Sequence, residues 1–145
     1  MKGPQKQAAE CWGRRAETLT AWLLRLKGYV ILERRLVTPA GEIDIVARRG
    51  LVLVIVEVKA RQFLDMEGIV SERQRRRLVQ VATWLVGNRS GFENDAVRFD
   101  LVIVQPWQWP RHIEDASMPM TRPSQSAFEI LAGHLESSYP INLSI

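Results

Sequence analysis

The segment that most constrains the fold is "GEIDIVARRGLVLVIVEVKAR", which spans residues 41–61. Its runs of Ile, Val and Leu on either side of "RRG" are typical of two antiparallel strands joined by a tight turn. Four charged residues interrupt these runs: Glu42, Asp44, Glu57 and Lys59. Charged side chains seldom lie within a β-core unless they are paired or bind something. The segment therefore predicts a β-hairpin that carries a charged site.

The register of this hairpin decides whether the charges meet. With Arg49-Gly50 as the two turn residues, Asp44 lies opposite Ile55. Glu42 then lies opposite Glu57. Alternation places all four charged residues on one face and five apolar residues on the other, namely Ile43, Ile45, Val54, Val56 and Val58. A one-residue shift would separate the acids, so the prediction depends on the turn.

Carboxylates gathered on one face repel each other and raise each other's pKa, and a divalent cation removes the repulsion. Sites with several carboxylate oxygens suit Mg²⁺ or Mn²⁺. Lys59, on the same face, is placed to orient a water or to neutralise charge that develops on a phosphate oxygen. The alternative is structural: Glu57 pairs with Lys59, and Glu42 lies at a solvated strand end.

Composition limits the classes of protein. The 145 residues, 46% of them hydrophobic, suit one globular domain with a core, and 25% charged residues are too few for general disorder. No apolar run is long enough to cross a bilayer, and the polar N-terminus does not match a secretion signal, so we expect a cytoplasmic protein with no membrane partner. The single cysteine, Cys11, excludes an internal disulfide and a Cys-based zinc cluster.

The charge distribution favours an anionic partner. The net charge of the chain is +4, but 19 of the 20 basic residues and only 12 of the 16 acidic ones precede Glu114, which gives that part +7. Nucleic acid, and DNA first, is the partner that such a basic body predicts.

The order of the predicted elements defines the fold class. We expect a helix over residues 5–27 with an apolar stripe of Trp12, Ala16, Leu19, Leu23 and Leu26. Strands follow over 29–37, 41–48 and 52–60. A second helix then runs from a Ser71–Gln74 capping box to about Val86, with a core stripe of Leu78, Val81, Ala82 and Leu85. A strand over 98–104 and a short edge segment in "HIEDA" follow. This order predicts an α/β fold: a mixed β-sheet flanked by helices.

The charged residues of the hairpin resemble the motif of a known protein family. Asp44, a hairpin turn and then Glu57-Val58-Lys59 resemble the D…ExK signature of the restriction-endonuclease-like superfamily, whose core has the order α-β-β-β-α-β. More closely, "GEIDIVARRG", "VEVKAR", "RRRL" and "RFDLV" resemble the YraN family of small bacterial endonuclease-like proteins, which are distantly similar to archaeal Holliday-junction resolvases. The resemblance covers about residues 13–116. The domain we expect is residues 1–118, and residues 119–145 form a tail with at most one short helix.

The resemblance implies roles for individual residues. Asp44 and Glu57 match the metal-binding carboxylates, the carbonyl of Val58 matches a further ligand, and Lys59 matches the catalytic lysine. Glu17, in "GRRAE", resembles a helix glutamate that reaches the same metal. A solvated helix acid is the alternative for Glu17.

Two further positions match less directly. Three roles fit Glu42: it caps the strand end, it supports the metal ligands without touching the metal, or it binds the metal directly. Gln74, a candidate for contact with nucleic acid, stands where relatives often carry Lys near the start of the second helix. This difference leaves its phosphate contact open, although glutamine also has such a role in related nucleases.

Arginines and tryptophans supply candidates for contacts with nucleic acid. Arg73, Arg75, Arg76 and Arg77 open the second helix, where they do not complement the helix dipole, and Arg61 extends the strand of Lys59. Arginine suits bidentate contacts to phosphate. A solvated helix face is the alternative for the four helix arginines. Trp107 and Trp109 either stack on bases or pack at a chain crossing.

The function that these features favour is a Mg²⁺- or Mn²⁺-dependent nuclease acting on DNA, with structured or branched DNA as a candidate substrate. One alternative is a nucleic-acid-binding module that has the same fold but no catalysis. Another is an interaction protein, such as a homodimer, whose acids are structural.

Overall fold

The architecture is a five-stranded sheet between two helices. The structure, a computed structural model, describes residues 3–61 and 71–116. Its elements are α1 (Pro4–Leu26), β1 (Val30–Thr38), β2 (Gly41–Arg49), β3 (Val52–Ala60), α2 (Glu72–Asn88), β4 (Ala96–Val104) and β5 (Arg111–Ile113). The strands lie in the order β1-β2-β3-β4-β5. Only β3 and β4 are parallel, so the sheet is mixed. The predicted fold class is confirmed, and the edge segment is β5.

Helix α1 covers one face of the sheet through small side chains. Its buried residues are Ala16, Thr20, Ala21 and Leu24. The predicted stripe is wrong at Leu19 and Leu26, which are 42% and 83% exposed. Small residues let the helix approach the sheet closely, and the larger apolar residues turn outward. Glu17 follows Ala16 at the border of the buried side.

Helix α2 covers the opposite face. Its capping box is confirmed: Ser71 Oγ accepts from the N–H of Gln74, and the Gln74 side chain accepts from the N–H of Ser71. The predicted core stripe is confirmed as well. The helix ends at Asn88 rather than Val86. The Asn88 side-chain amide donates to the carbonyl of Trp84 over 2.8 Å, which satisfies a carbonyl of the last turn.

The turn of the central hairpin lies one residue later than predicted. Arg49 pairs with Val52, so Gly50 and Leu51 form the turn. Gly50 has φ +59, which a tight hairpin needs at its first turn residue and which glycine adopts without steric cost. The pairing therefore shifts by two residues. An even shift preserves regular alternation between the paired strands, so Glu57 and Lys59 keep their common face on β3.

Strand β2 changes its packing near Asp44. Ile45 joins the core under α1, whereas Ile43 joins the core under α2. The prediction that these two residues share a face is wrong, because β2 departs from regular alternation here. The ladder between β2 and β3 runs from Arg49–Val52 to Ile45–Val56. Asp44 is the first residue beyond it.

Two neighbouring strands have their C-terminal ends on the same side of the sheet. The β3–α2–β4 crossover makes β3 and β4 parallel, with Ala60 paired to Val104. Both strands thus end close together, near Glu57 and Lys59. The predicted tail, residues 119–145, lies outside the described residues. Within the described ranges, no helix is apolar over a long enough stretch to span a membrane.

Candidate carboxylate site

Asp44 lies where β2 and β3 separate. Its Oδ2 accepts a 2.7 Å hydrogen bond from the backbone N–H of Val58. The carboxylate therefore occupies a position that a backbone acceptor has in the regular ladder. Its other oxygen, Oδ1, has no hydrogen-bond partner among the residues that the structure describes. Asp44 is thus fixed by one oxygen and open through the other.

The pKa of Asp44 is shifted by its burial and by the charged groups near it. Burial raises this pKa from 3.8 to about 6, against the opposing effect of the Val58 N–H. The negative charges of Glu57 and Glu17 raise it further, and the positive charge of Lys59 lowers it. Charge effects weaken with distance, so Glu57, Glu17 and Lys59 lie near enough to Asp44 to act on its carboxylate.

Glu57 is held by two cations. Arg77 Nη2 donates to both carboxylate oxygens over 3.2 and 3.1 Å, and Lys59 Nζ lies 3.2 Å from Oε1. The Glu57 side chain is only 15% exposed, so these contacts offset the cost of its desolvation. The pairing of Glu57 with Lys59 that the sequence left open is present. It does not decide between structure and catalysis, because the same lysine also acts on Asp44.

Arg35 links the acids of α1 and β2. Its Nε lies 3.2 Å from Glu42 Oε1 and 3.9 Å from Glu17 Oε2. The hydrogen bond to Glu42 raises the pKa of Arg35, and the charges of Glu17 and Asp44 raise it further. Arg34 pairs with Ile45 and Leu36 with Ile43, so Arg35 stands opposite Asp44. Glu42 contacts Arg35, which supports an indirect role at the site.

Arg35 was not predicted from the sequence as a residue of the site. Its position depends on the β1–β2 register, and this register contains a shift between Ile31 and Glu33. Arg35 also has φ 53, which is uncommon for a residue other than glycine. Simple alternation along "ERRL" gave no signal for either feature.

Arg77 makes a contact that was not predicted. Its guanidinium holds Glu57, and the phosphate contact expected of it with its helix neighbours stays a prediction. Its side chain crosses Gly41, where a Cβ would stand 3.2 Å from Arg77 Cδ, and Gly41 has φ +133. A larger residue at position 41 would therefore strain the backbone and crowd Arg77.

The other predicted phosphate contacts separate into two groups. Arg61, Arg73 and Arg76 are exposed, and Arg61 follows β3 with its N–H bonded to the carbonyl of Val104 over 3.0 Å. Arg75 is half-buried, and Gln74 is engaged in the capping box. The three exposed arginines present their side chains to solvent, although Arg76 also pairs with Glu72.

The donor set fits a hard divalent cation in its chemistry but does not enclose one as it stands. Within residues 3–61 and 71–116, no three acids, histidines or cysteines are close enough to hold a metal ion. Four carboxylates (Glu17, Glu42, Asp44 and Glu57) face three cations (Arg35, Lys59 and Arg77), which leaves one excess negative charge. Carboxylate oxygens are the ligands that Mg²⁺ and Mn²⁺ prefer. Glu57 and Glu17 must loosen their arginine contacts to become ligands.

Comparisons with known proteins agree with the extent of this unit. The sequence profile of the uncharacterised protein family UPF0102 matches residues 16–104, which contain every residue of the carboxylate site. A UPF0102 protein of Parvibaculum lavamentivorans is 51% identical over 113 residues, or 77% of this chain and 85% of the relative. Those of Caulobacter vibrioides and Bartonella tribocorum are 48% and 43% identical. They match 75% and 76% of this chain, and 88% and 87% of their own lengths.

Proposed function

The chain belongs to the UPF0102 (YraN) family, and we propose that it is a metal-dependent nuclease that hydrolyses phosphodiester bonds in DNA. The observation that carries the proposal is the meeting of Asp44, Glu57 and Lys59 where β2 leaves β3, with Glu17 reaching the same place from α1. A structural role alone does not require a buried acid beside two others, because each added acid raises the cost of burial.

The proposed metal ligands are Asp44, Glu57, the carbonyl of Val58 and Glu17. A bound Mg²⁺ or Mn²⁺ would supply a Lewis acid and lower the pKa of a bound water. Asp44 offers its free Oδ1 while the Val58 N–H holds Oδ2 and orients the carboxylate. Arg77 and Arg35 hold Glu57 and Glu17 near their working positions without a metal.

Lys59 is the proposed cation for the reacting phosphate. Its ammonium is hydrogen-bonded to Glu57, and its positive charge lowers the pKa of Asp44. It is mostly buried, where a positive charge acts more strongly on a phosphate oxygen than it does in water. Because Glu57 holds its position, Lys59 is ready to donate a hydrogen bond to a phosphate oxygen as negative charge develops there.

The DNA backbone is the proposed binding partner. Arg61, Arg73 and Arg76 are exposed, and Arg61 stands two residues beyond Lys59. Arginine contacts to phosphates set the position of a duplex without reading its sequence. This arrangement suits an enzyme that recognises the shape of DNA.

A second candidate function is a nucleic-acid-binding module without catalysis. The contacts of Arg35 and Arg77 favour it, because they already neutralise the carboxylates that a metal would use. In that case the exposed arginines bind DNA, and the paired acids only stabilise the fold.

A cleavage assay separates the two functions. Duplex, single-stranded and four-way-junction DNA of shared sequence are incubated with Mg²⁺, Mn²⁺ or a chelator. The nuclease cuts at least one substrate, only with a metal, and Lys59→Met loses cleavage while it still binds DNA. Asp115→Asn is the matched control, because Asp115 is exposed and its φ of 54 suits asparagine. Binding of all substrates without any cleavage supports the binding module.

A further inference from the structure

Two tryptophans stand free of the core on the loop between β4 and β5. Trp107 and Trp109 have relative exposures of 103% and 89%. The alternative that they pack at a chain crossing is therefore wrong. Exposed apolar side chains are common singly, but two indole rings on one short loop present an unusually large aromatic surface to solvent. This surface needs a function other than folding.

The loop, residues 105–110, restrains both rings. Pro106 precedes Trp107, and Pro110 follows Trp109. Each proline fixes its own φ near −65° and restricts the residue before it. Trp107 itself has φ 61, a conformation that costs a bulky residue energy. A backbone restrained in this way loses little entropy when the loop binds a partner.

The loop and the carboxylate site lie at the same end of the sheet, where the parallel strands β3 and β4 finish. Lys59 pairs with Ile103 in the parallel ladder of β3 and β4. The loop begins at Gln105, two residues further on, or about 7 Å along the strand. Trp107 follows after two more residues. The loop that carries the two rings therefore leaves the end of the sheet at which Lys59 lies.

Two exposed arginines flank the loop on neighbouring strands. Arg61 follows β3 on one side of β4, with its N–H bonded to the carbonyl of Val104. Arg111 opens β5 on the other side and pairs with Ile103. Aromatic rings beside cationic side chains match a single strand of nucleic acid, whose bases stack on the rings while its phosphates meet the cations.

We propose that Trp107 and Trp109 form a stacking surface for unpaired bases and direct the enzyme to DNA that carries single-stranded nucleotides beside the scissile phosphate. This inference rests on the proposed function for the phosphate chemistry, but the stacking surface acts in binding alone. Duplex DNA keeps its bases paired and offers the rings little, whereas ends, flaps and open junctions expose bases.

The test is a binding titration that does not depend on cleavage. Fluorescence anisotropy measures the affinity for labelled oligothymidine and for a blunt duplex, in chelator and at fixed salt. Trp107→Ala and Trp109→Ala are compared with Trp22→Ala. Trp22 is the matched control because it is 60% exposed on α1 and lies 5.7 Å from an arginine guanidinium, that of Arg25.

Each loop variant should weaken oligothymidine binding about 5- to 150-fold, the loss expected for one stacked base, and change duplex binding less than about twofold. Trp22→Ala should bind as the wild type does. Unchanged oligothymidine affinity in both loop variants overturns the inference, as does an equal loss in Trp22→Ala. A loop variant that converts a dimer to a monomer in sedimentation also overturns it, because the rings then serve self-association.

The outcomes also separate this inference from the proposed function. A wild type that cleaves DNA but binds single strands independently of the loop tryptophans retains the nuclease and loses the stacking surface. A wild type that binds single strands through these tryptophans and never cleaves retains the stacking surface alone. A wild type that binds no form of DNA contradicts both.

Discussion

The carboxylate of Asp44 accepts the backbone N–H of Val58 over 2.7 Å at the point where the two central strands part. The side chain of Asp44 thus accepts a hydrogen bond at the end of the β2–β3 ladder, in place of a backbone carbonyl. The N–H of Val58 stabilises the charged form of this carboxylate and so opposes the burial that raises its pKa to about 6.

The stability of the metal-free protein should fall as the pH rises through the titration of Asp44. Burial raises its pKa from 3.8 to about 6, so between these values the folded state binds the proton more tightly than the unfolded state. The stabilisation by the protonated form is complete below about pH 4 and lost above about pH 6. The full difference is up to about 3 kcal/mol.

Asp44→Asn isolates this effect, because asparagine mimics the protonated carboxyl. In urea unfolding with a chelator, we expect the variant to exceed the wild type in stability at pH 7.5 and to match it near pH 4. The control Asp115→Asn should show a constant small difference. A variant that is less stable than the wild type at pH 7.5 would show that the charged form of Asp44 supports the fold.

Replacing Arg77 should strengthen metal binding while it weakens the metal-free fold. Arg77 contacts both oxygens of Glu57 and competes with a cation for them. We expect Arg77→Met to bind Mn²⁺ several-fold more tightly in calorimetry. Its unfolding free energy in chelator should drop by about 1–3 kcal/mol, since a mostly buried acid loses its main partner.

Arg76→Met is the control for that substitution. Arg76 is one residue away and exposed, and its contact among residues 3–61 and 71–116 is with Glu72. It should leave both quantities nearly unchanged, because surface ion pairs contribute little. Weaker Mn²⁺ binding in Arg77→Met than in Arg76→Met would mean that Arg77 supports the metal site instead of competing with it.

A second charged cluster, around Asp100, should be purely structural. Burial raises the pKa of Asp100, but hydrogen bonds from His112 and Arg98 outweigh it and leave the pKa lowered. The stability from Asp100 is therefore present at neutral pH and lost as pH falls through its lowered pKa. We expect Asp100→Ala to cost about 3–5 kcal/mol at pH 7, because buried partners lose their counter-charge.

Glu114→Gln tests whether the cost follows burial. Glu114 also contacts Arg98, over 3.3 Å, but is exposed. We expect a loss below about 1 kcal/mol in the same denaturation experiment. Equal losses for the two variants would show that the network, and not the burial of Asp100, determines the energy.

DNA binding should depend on salt through the exposed arginines. If Arg61, Arg73 and Arg76 contact phosphates, the logarithm of the affinity falls against the logarithm of the salt concentration with a slope of roughly −3. Arg73→Ala should reduce this slope by about 1 on any DNA sequence. The control is Arg89→Ala, since Arg89 lies at the far end of α2 and pairs with Glu33 over 2.7 Å. Equal slopes for all variants would contradict the phosphate contacts.

Part of the site was predictable from the hairpin. The predicted turn was wrong by one residue, which shifts the β2–β3 pairing by two. Glu57 and Lys59 therefore share a face as strand alternation predicts, and Asp44 contacts the neighbouring Val58. The capping box of α2 was predictable for a similar reason, since it needs only two polar residues at a fixed spacing.

Two of the three cations of the site were not predictable from local patterns as partners of its acids. Arg35 reaches the acids through a strand with a register shift, and Arg77 reaches Glu57 from the helix of the β3–α2–β4 crossover. Both contacts depend on how separate elements pack. The departure of Ile43 from the face of Ile45 has the same origin, because the strand bends where the ladder ends.

We propose that the acids around Asp44 form a divalent-metal site, and that their contacts with Arg35 and Arg77 break when the metal ion binds. Calorimetric titration of Mn²⁺ at pH 7.5 into the wild type, Asp44→Asn and Asp115→Asn tests it most directly. The account predicts saturable binding to the wild type and to Asp115→Asn, and none to Asp44→Asn. Absence of binding to the wild type, or equal affinity in Asp44→Asn, would contradict it.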